Sequence, residues 1–237
     1  MNDSAISLAD ARPLVASPLW PRIRAFLWNF ASLCDPARLT AAAGGSGGAA
    51  PRSLDLLDAP RVAASALRAL GVEPVFHPFP ATDASRLLLL SREDYDRLAQ
   101  FLGVVALAPA LRRVTAGADV RALKAALPGV FPATLAFTAY FRRHEPLFER
   151  LVPAGEAANP AAVLAAGHRL LAAALSDLPP ELLLRQRLRF PAGSPADAAL
   201  AREAGSAPEA SASGAALAAA KLALKLSNPQ EYTTCFS

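Results

Sequence analysis

The sequence predicts a mainly α fold, an irregular helical domain with room for one or two short strands, on three observations. Apolar side chains recur at three- and four-residue spacings, as in Tyr95, Leu98, Phe101, Leu102 and Val105, which lays one face of a helix against a core. Prolines open these segments and glycines or prolines close them, the positions a helix tolerates. Hydrophobic residues make up 53% of the 237-residue chain, and charged residues are 19% and well mixed. That composition is not that of a wholly disordered chain. Much of the apolar fraction is alanine, which brings little area to a core.

Taken in order, 19–33 reads as a short helix with Pro21 in its first turn and Trp20, Phe26, Leu27, Trp28 and Phe30 as bulky anchors, closed by Asp35-Pro36. The glycines at 44, 45, 47 and 48 mark 41–53 as a flexible connection. A helix is expected over 60–70, stopped by Gly71, and 72–80, with three prolines, is irregular or at most a brief edge strand. Ser91 is a good N-cap, with Glu93 and Asp94 in the first turn, for a helix that Pro109 kinks or divides. Further helices are expected over 118–127, ended by Pro128-Gly129, from Pro132 onward, and over 161–175, with Pro146 and 152–160 breaking the pattern.

In 184–190 the alternation of Leu184, Leu188 and Phe190 with Arg185, Arg187 and Arg189 suggests a strand with an arginine-lined outer face. Helix is the competing reading. A linker over 192–214, a short helix over 215–226 and a loosely ordered tail complete the chain. The organisation expected is therefore an N-terminal aromatic helical segment (1–40), a Gly-rich linker (41–53), a main helical domain (54–191), a linker (192–214) and a C-terminal short helix and tail (215–237).

Composition bears on function chiefly by exclusion. The net charge of +4 is compatible with an acidic partner surface or an anionic membrane face and is too small to point to nucleic acid. The basic residues, 21 of the 24 arginine, fall in short clusters rather than one block. Cys34 and Cys235 do not read as a disulfide scaffold, which fits a reducing compartment. No secretory signal and no bilayer-spanning segment are expected. His77, His144 and His168 lie in different segments, with no metal spacing. Residues 44–48 are glycine-rich without the lysine of a phosphate loop. Cys34 has no base nearby in sequence. No catalytic residue, cofactor or metal is expected, and the chain reads as a non-enzyme. His144 and His168 are expected as surface or half-buried side chains.

Three motifs then appear in order: Trp28-Asn29-Phe30 with Asp35-Pro36; Leu89-Leu90-Ser91-Arg92-Glu93 through Leu102-Gly103 to Leu111-Arg112-Arg113; and Gly167-His168-Arg169-Leu170-Leu171 through Leu178-Pro179-Pro180 to Arg187-Leu188-Arg189-Phe190-Pro191. In this the chain resembles the accessory sorting-platform protein of type III secretion injectisomes, the K component. The likeness covers about 19–195, with the Gly-rich insertion unmatched and a longer alanine-rich C-terminus. It implies a non-enzymatic virulence-associated component of protein secretion and transport. Such a protein lies in the cytoplasm, at the cytoplasmic face of the bacterial inner membrane, held there by protein contacts without a transmembrane span. Its partners would be the membrane-ring and cytoplasmic-ring components, which it joins.

The family assigns no site residues, so candidates come from the physics of interfaces, which use aromatic and arginine anchors. They are Trp20, Trp28 and Phe30, then Arg112 and Arg113, then Arg185, Arg187 and Arg189. The alternatives are a chaperone-like or regulatory helical module that grips a partner helix, and an enzyme assembled from distant acid–base residues.

Overall fold

The computed structural model describes residues 17–44, 60–72, 79–152, 158–204 and 210–236. Among them the chain is helical throughout, with no strand. The elements are α1 Trp20–Trp28, a 3-10 turn Phe30–Ser32, α2 Pro36–Gly44, α3 Pro60–Ala69, α4 Asp83–Leu87, α5 Arg92–Ala106, α6 Ala108–Leu111 and α7 Gly117–Ala126. A 3-10 stretch Ala133–His144 follows, then α8 Glu145–Leu151, α9 Pro160–Leu175, α10 Pro180–Leu188, α11 Pro195–Ala204, α12 Ala210–Ser227 and α13 Pro229–Phe236. No helix among the described residues is long and apolar enough to cross a membrane.

Local chemistry sets the boundaries. Ser91 Oγ accepts from the Asp94 N–H at 3.0 Å, and Asn159 Oδ1 accepts from the Ala162 N–H at 2.9 Å. Each satisfies an amide that a helix start leaves without a partner. Pro109 divides the 92–111 segment: α5 stops at Ala106, and α6 begins with Pro109 in its first turn, where its missing N–H costs nothing.

Helix α9 is the centre of the molecule. It packs against α5, α11 and α12, and its buried side chains run almost all the way round it, as expected of a helix enclosed by others. Small residues let its closest neighbour approach. A Cβ on Gly103 of α5 would lie 1.9 Å from the Val163 carbonyl oxygen, and one on Gly167 of α9 would lie 1.8 Å from that of Ala99. The two glycines thus open the crossing from both sides. Around it Leu98, Leu102, Val163, Leu170 and Leu171 are at most 1% exposed. Burying such side chains stabilises the fold by about 1.5–3 kcal/mol each.

One continuous core runs from Leu19 to Cys235, so the aromatic N-terminal segment packs into the main body. Four expectations are corrected. The stretch 184–190 is not a strand: α10 covers Pro180–Leu188, and its leucines and arginines follow helical spacing. The expected linker contains α11, whose Ala196, Ala199 and Leu200 are buried. The expected tail is α13, which ties back to the body. Its Glu231 pairs with Arg22 of α1, Asn228 just before it donates to Asp94 at 3.2 Å, and Cys235 is fully buried. Lys221 of α12 stands over Phe236 at 5.0 Å and pairs with Asp83 of α4. Residues 41–44 of the expected Gly-rich linker belong to α2. The rest of it and 73–78 of the expected edge-strand region lie outside the described residues.

Candidate functional site

The three groups of sequence candidates meet three different fates. The arginine series is the clearest. On a strand Arg185, Arg187 and Arg189 would share one face; on a helix residues 185 and 189 share a face that residue 187 leaves. Arg185 and Arg189 accordingly point inward, each 5% exposed. Arg185 lies over the Phe30 ring at 5.3 Å and donates to the carbonyls of Phe26 and Leu27 at 3.2 Å each. It thereby satisfies the free carbonyls at the end of α1, and burial holds its pKa below the usual arginine value.

Arg189 donates to Leu88 O at 2.7 Å, Leu90 O at 2.6 Å and Gln186 Oε1 at 2.8 Å. All three acceptors are neutral, and burial pushes the Arg189 pKa down to about 10. Gln186 is fully buried, as is Tyr95 nearby. The end of α10 gathers more donors: Leu188 O accepts from the Asp35 N–H at 2.9 Å, and Phe190 O accepts from Arg38 Nε at 2.7 Å. Arg187 faces outward and pairs with Asp197 of α11 at 2.6 Å, as Arg38 does at 2.5 Å. The series ties α1, α2, the 88–90 turn and α11 to α10. It is not a docking face, which corrects the sequence reading.

The aromatic group divides. Phe30 is 1% exposed and belongs to the core, as do Ile23 and Phe26. Trp20 and Trp28 lie on the other side of α1, where their rings meet edge-on with centroids 5.6 Å apart. Trp20 is partly buried, whereas Trp28 is 48% exposed. Arg24, one turn from each, is exposed and has no ion-pair or side-chain hydrogen-bond partner among the described residues. The helix carries no acidic residue in its first turn. Its outer face is therefore aromatic and cationic.

Arg112 and Arg113 are exposed and line a groove with a volume of about 810 Å³. One wall comes from residues 105–113 and the other from 138–152. Arg112 donates to the Thr138 hydroxyl across the groove. Arg142, in a short basic cluster with Arg143 that reads from sequence as a solvated face, lines the second wall with Glu145 and Glu149, which sequence reasoning missed. The i, i+4 spacing of the two glutamates was a signal for a shared helix edge.

Burial pushes the Cys34 and Cys235 thiols each up to about 12. His144 and His168 are buried, 5% and 4% exposed, deeper than the surface or half-buried placement expected of them. Burial, then the neighbouring Arg143, lowers the His144 pKa, while His168 Nε2 lies 3.4 Å from Asp96. Among the described residues no group of three or more His, Cys, Asp and Glu could hold a metal ion. A scan against protein-family models, a search of curated proteins and a search of solved structures each find no match to this chain.

Proposed function

We propose that the chain is a structural adaptor of the cytoplasmic sorting platform of a type III secretion machine, joining the inner-membrane ring component to the cytoplasmic ring component. The observation that carries the adaptor part is the outer face of α1. There Trp28 stands half exposed against Trp20, with the cation Arg24 beside them. Exposed aromatic anchors with an arginine are the chemistry that dominates protein interfaces. The charged groove shares no residue with this face, and an adaptor needs two contact surfaces. The secretion assignment is supported by the order of the three motifs, and places the chain at the cytoplasmic face of the inner membrane through protein contacts.

The test is a titration of the purified chain with the cytoplasmic domain of the membrane-ring component and with the cytoplasmic-ring component of the same secretion system. Both bind, and the double variant Arg24→Glu, Trp28→Ala loses one of them while keeping its helical circular dichroism. Binding of neither component refutes the assignment. Binding of a single free effector or regulator instead moves the reading to a chaperone-like or regulatory module.

A further inference from the structure

We infer that His144 makes residues 133–151 an acid-sensitive switch, held on α5 while its imidazole is neutral and released when the ring takes up a proton. Nothing in this depends on the adaptor reading. The segment joins the 3-10 stretch Ala133–His144 to α8, and His144 is the joint, the last residue of the first element and the N-cap of the second. Both elements pack on α5 and α12. The attachment is aromatic and apolar. Phe101 of α5 meets Phe137 and Phe141 with ring centroids 6.0 Å and 6.2 Å away, and Phe141, Leu147 and Phe148 are at most 6% exposed.

Three features of the joint require a neutral ring. The imidazole is buried, with the Phe141 and Phe148 rings 6.1 Å and 6.4 Å from it. Its Nε2 accepts a hydrogen bond from Arg143 Nε at 3.1 Å, which only an unprotonated nitrogen does. A proton on Nε2 removes that acceptor and sets an imidazolium beside the Arg143 guanidinium. Burial first, then Arg143, accordingly holds the His144 pKa below that of an exposed histidine. No carboxylate offsets these effects. Arg142 lies on the same stretch, and Glu145, Glu149 and Arg150 of α8 are exposed. The charges of α5 end at Arg97, ahead of Phe101. Among its described residues α12 carries Lys221, paired with Asp83, and Lys225, over Tyr232. α9, which α8 also touches, carries His168, beside Asp96, and Arg169. Arg112 and Arg113 face the segment across the groove. Of all these charges, Arg143 is the one that bears on the imidazole. The released segment therefore binds a proton more readily than the docked one. Docking is at full strength above about pH 6.5, the pKa of an exposed histidine, and weakens as pH falls towards the lower docked value.

The test is hydrogen–deuterium exchange of the full chain at about pH 7.5 and about pH 5.5, with rates corrected for the intrinsic pH dependence of amide exchange. Protection across 133–151 falls several-fold at the lower pH, up to about tenfold at one unit below the pKa of an exposed histidine. Protection across α9 does not change. His144→Gln keeps an acceptor that takes up no proton in this range, so its protection in 133–151 is the same at both pH values, whatever its absolute level. Arg143→Gln, at an exposed residue where folding is not at stake, shrinks the fall because the like charge is gone. No fall in the parent, an equal fall in His144→Gln, or an undiminished fall in Arg143→Gln overturns the inference. A fall shared evenly by 133–151 and α9 is global loosening in acid, and overturns it too. Each of these results leaves the α1 face and its test untouched.

Discussion

Replacing Gly167 by alanine tests the packing at the centre of the molecule. The new Cβ would sit 1.8 Å from the Ala99 carbonyl oxygen, against the 3.4 Å at which ordinary contact begins, so α5 and α9 must part by roughly 1.6 Å. The obstructing atoms are backbone, and no rotamer change relieves them. A radial gap of even 0.5–1 Å forfeits a quarter to a half of the dispersion energy across a contact, and these two helices form the most extensive helix pair in the fold. Overpacking of this kind costs about 1–3 kcal/mol and sometimes more, while alanine returns about 1 kcal/mol through helix propensity. With backbone on both sides the cost lies at the upper end, so the expected net loss is about 2 kcal/mol or more, a fall of about 4–8 °C in Tm. Urea titration followed by circular dichroism measures it. Gly214→Ala is the matched control, because an added Cβ there meets nothing within 4 Å. It should raise stability by about 0.5–1 kcal/mol. A Gly167→Ala protein within about 0.5 kcal/mol of the parent would refute the close-crossing argument.

Three further outcomes follow from the polar interior. Arg189→Met strands the buried Leu88 and Leu90 carbonyls and Gln186 Oε1, and should cost about 3 kcal/mol in urea titration, with Arg189→Lys recovering only part. Burial alone would raise the Asp197 pKa, but donation from Arg187, the Gly193 N–H and Arg38 outweighs it and holds the carboxyl below its usual value. Its contribution is therefore complete above the unfolded carboxyl pKa of about 4 and is lost as pH falls through the lower folded value. Asp197→Asn should flatten the acid limb of the stability–pH curve below about pH 4, and an unchanged limb would count against the three donations. Cys34 and Cys235, both pushed up to about 12, should resist an aromatic disulfide reagent at about pH 8 in the native protein and react fully in urea, because the thiolate is the attacking form.

The helices that were legible carried their own punctuation. Ser91 caps α5, Pro109 divides the segment and Pro128-Gly129 follows α7; each is a local effect that needs no knowledge of the partner elements. α11 and α13 were not legible. Their segments, 195–204 and 229–236, hold small or polar residues with few large apolar ones, so the local pattern resembles linker and tail. What makes them helices is tertiary: α11 fits against α9 and α10 through Ala196, Ala199 and Leu200, and α13 folds back on α12 with Tyr232 and Phe236 under Lys225 and Lys221. Alanine, poor as core filler, permits close packing of α12 on α9, where Ala216, Ala219, Ala220 and Ala223 are at most 1% exposed.

The arginine series shows why the docking surfaces were harder to read than the fold. A period of two and a period of 3.6 both accommodate Leu-Arg-Gln-Arg-Leu-Arg-Phe, and the choice decides whether three cations face one partner or two of them are buried. With α10 helical, reversing charge at Arg185 or Arg189 would put a carboxylate against backbone carbonyls in the interior, and any loss of partner binding would report unfolding rather than an interface. Arg187 is the outward member, yet its reversal repels Asp197 and loosens α11 from α10. Arg112 and Arg113 escape this confusion because they stand exposed on a groove wall. A binding defect that survives with unchanged urea stability is therefore interpretable at Arg112 and Arg113 and not at Arg185 or Arg189. Measuring stability and binding on both pairs separates a recognition surface from the buried arginines that hold the fold.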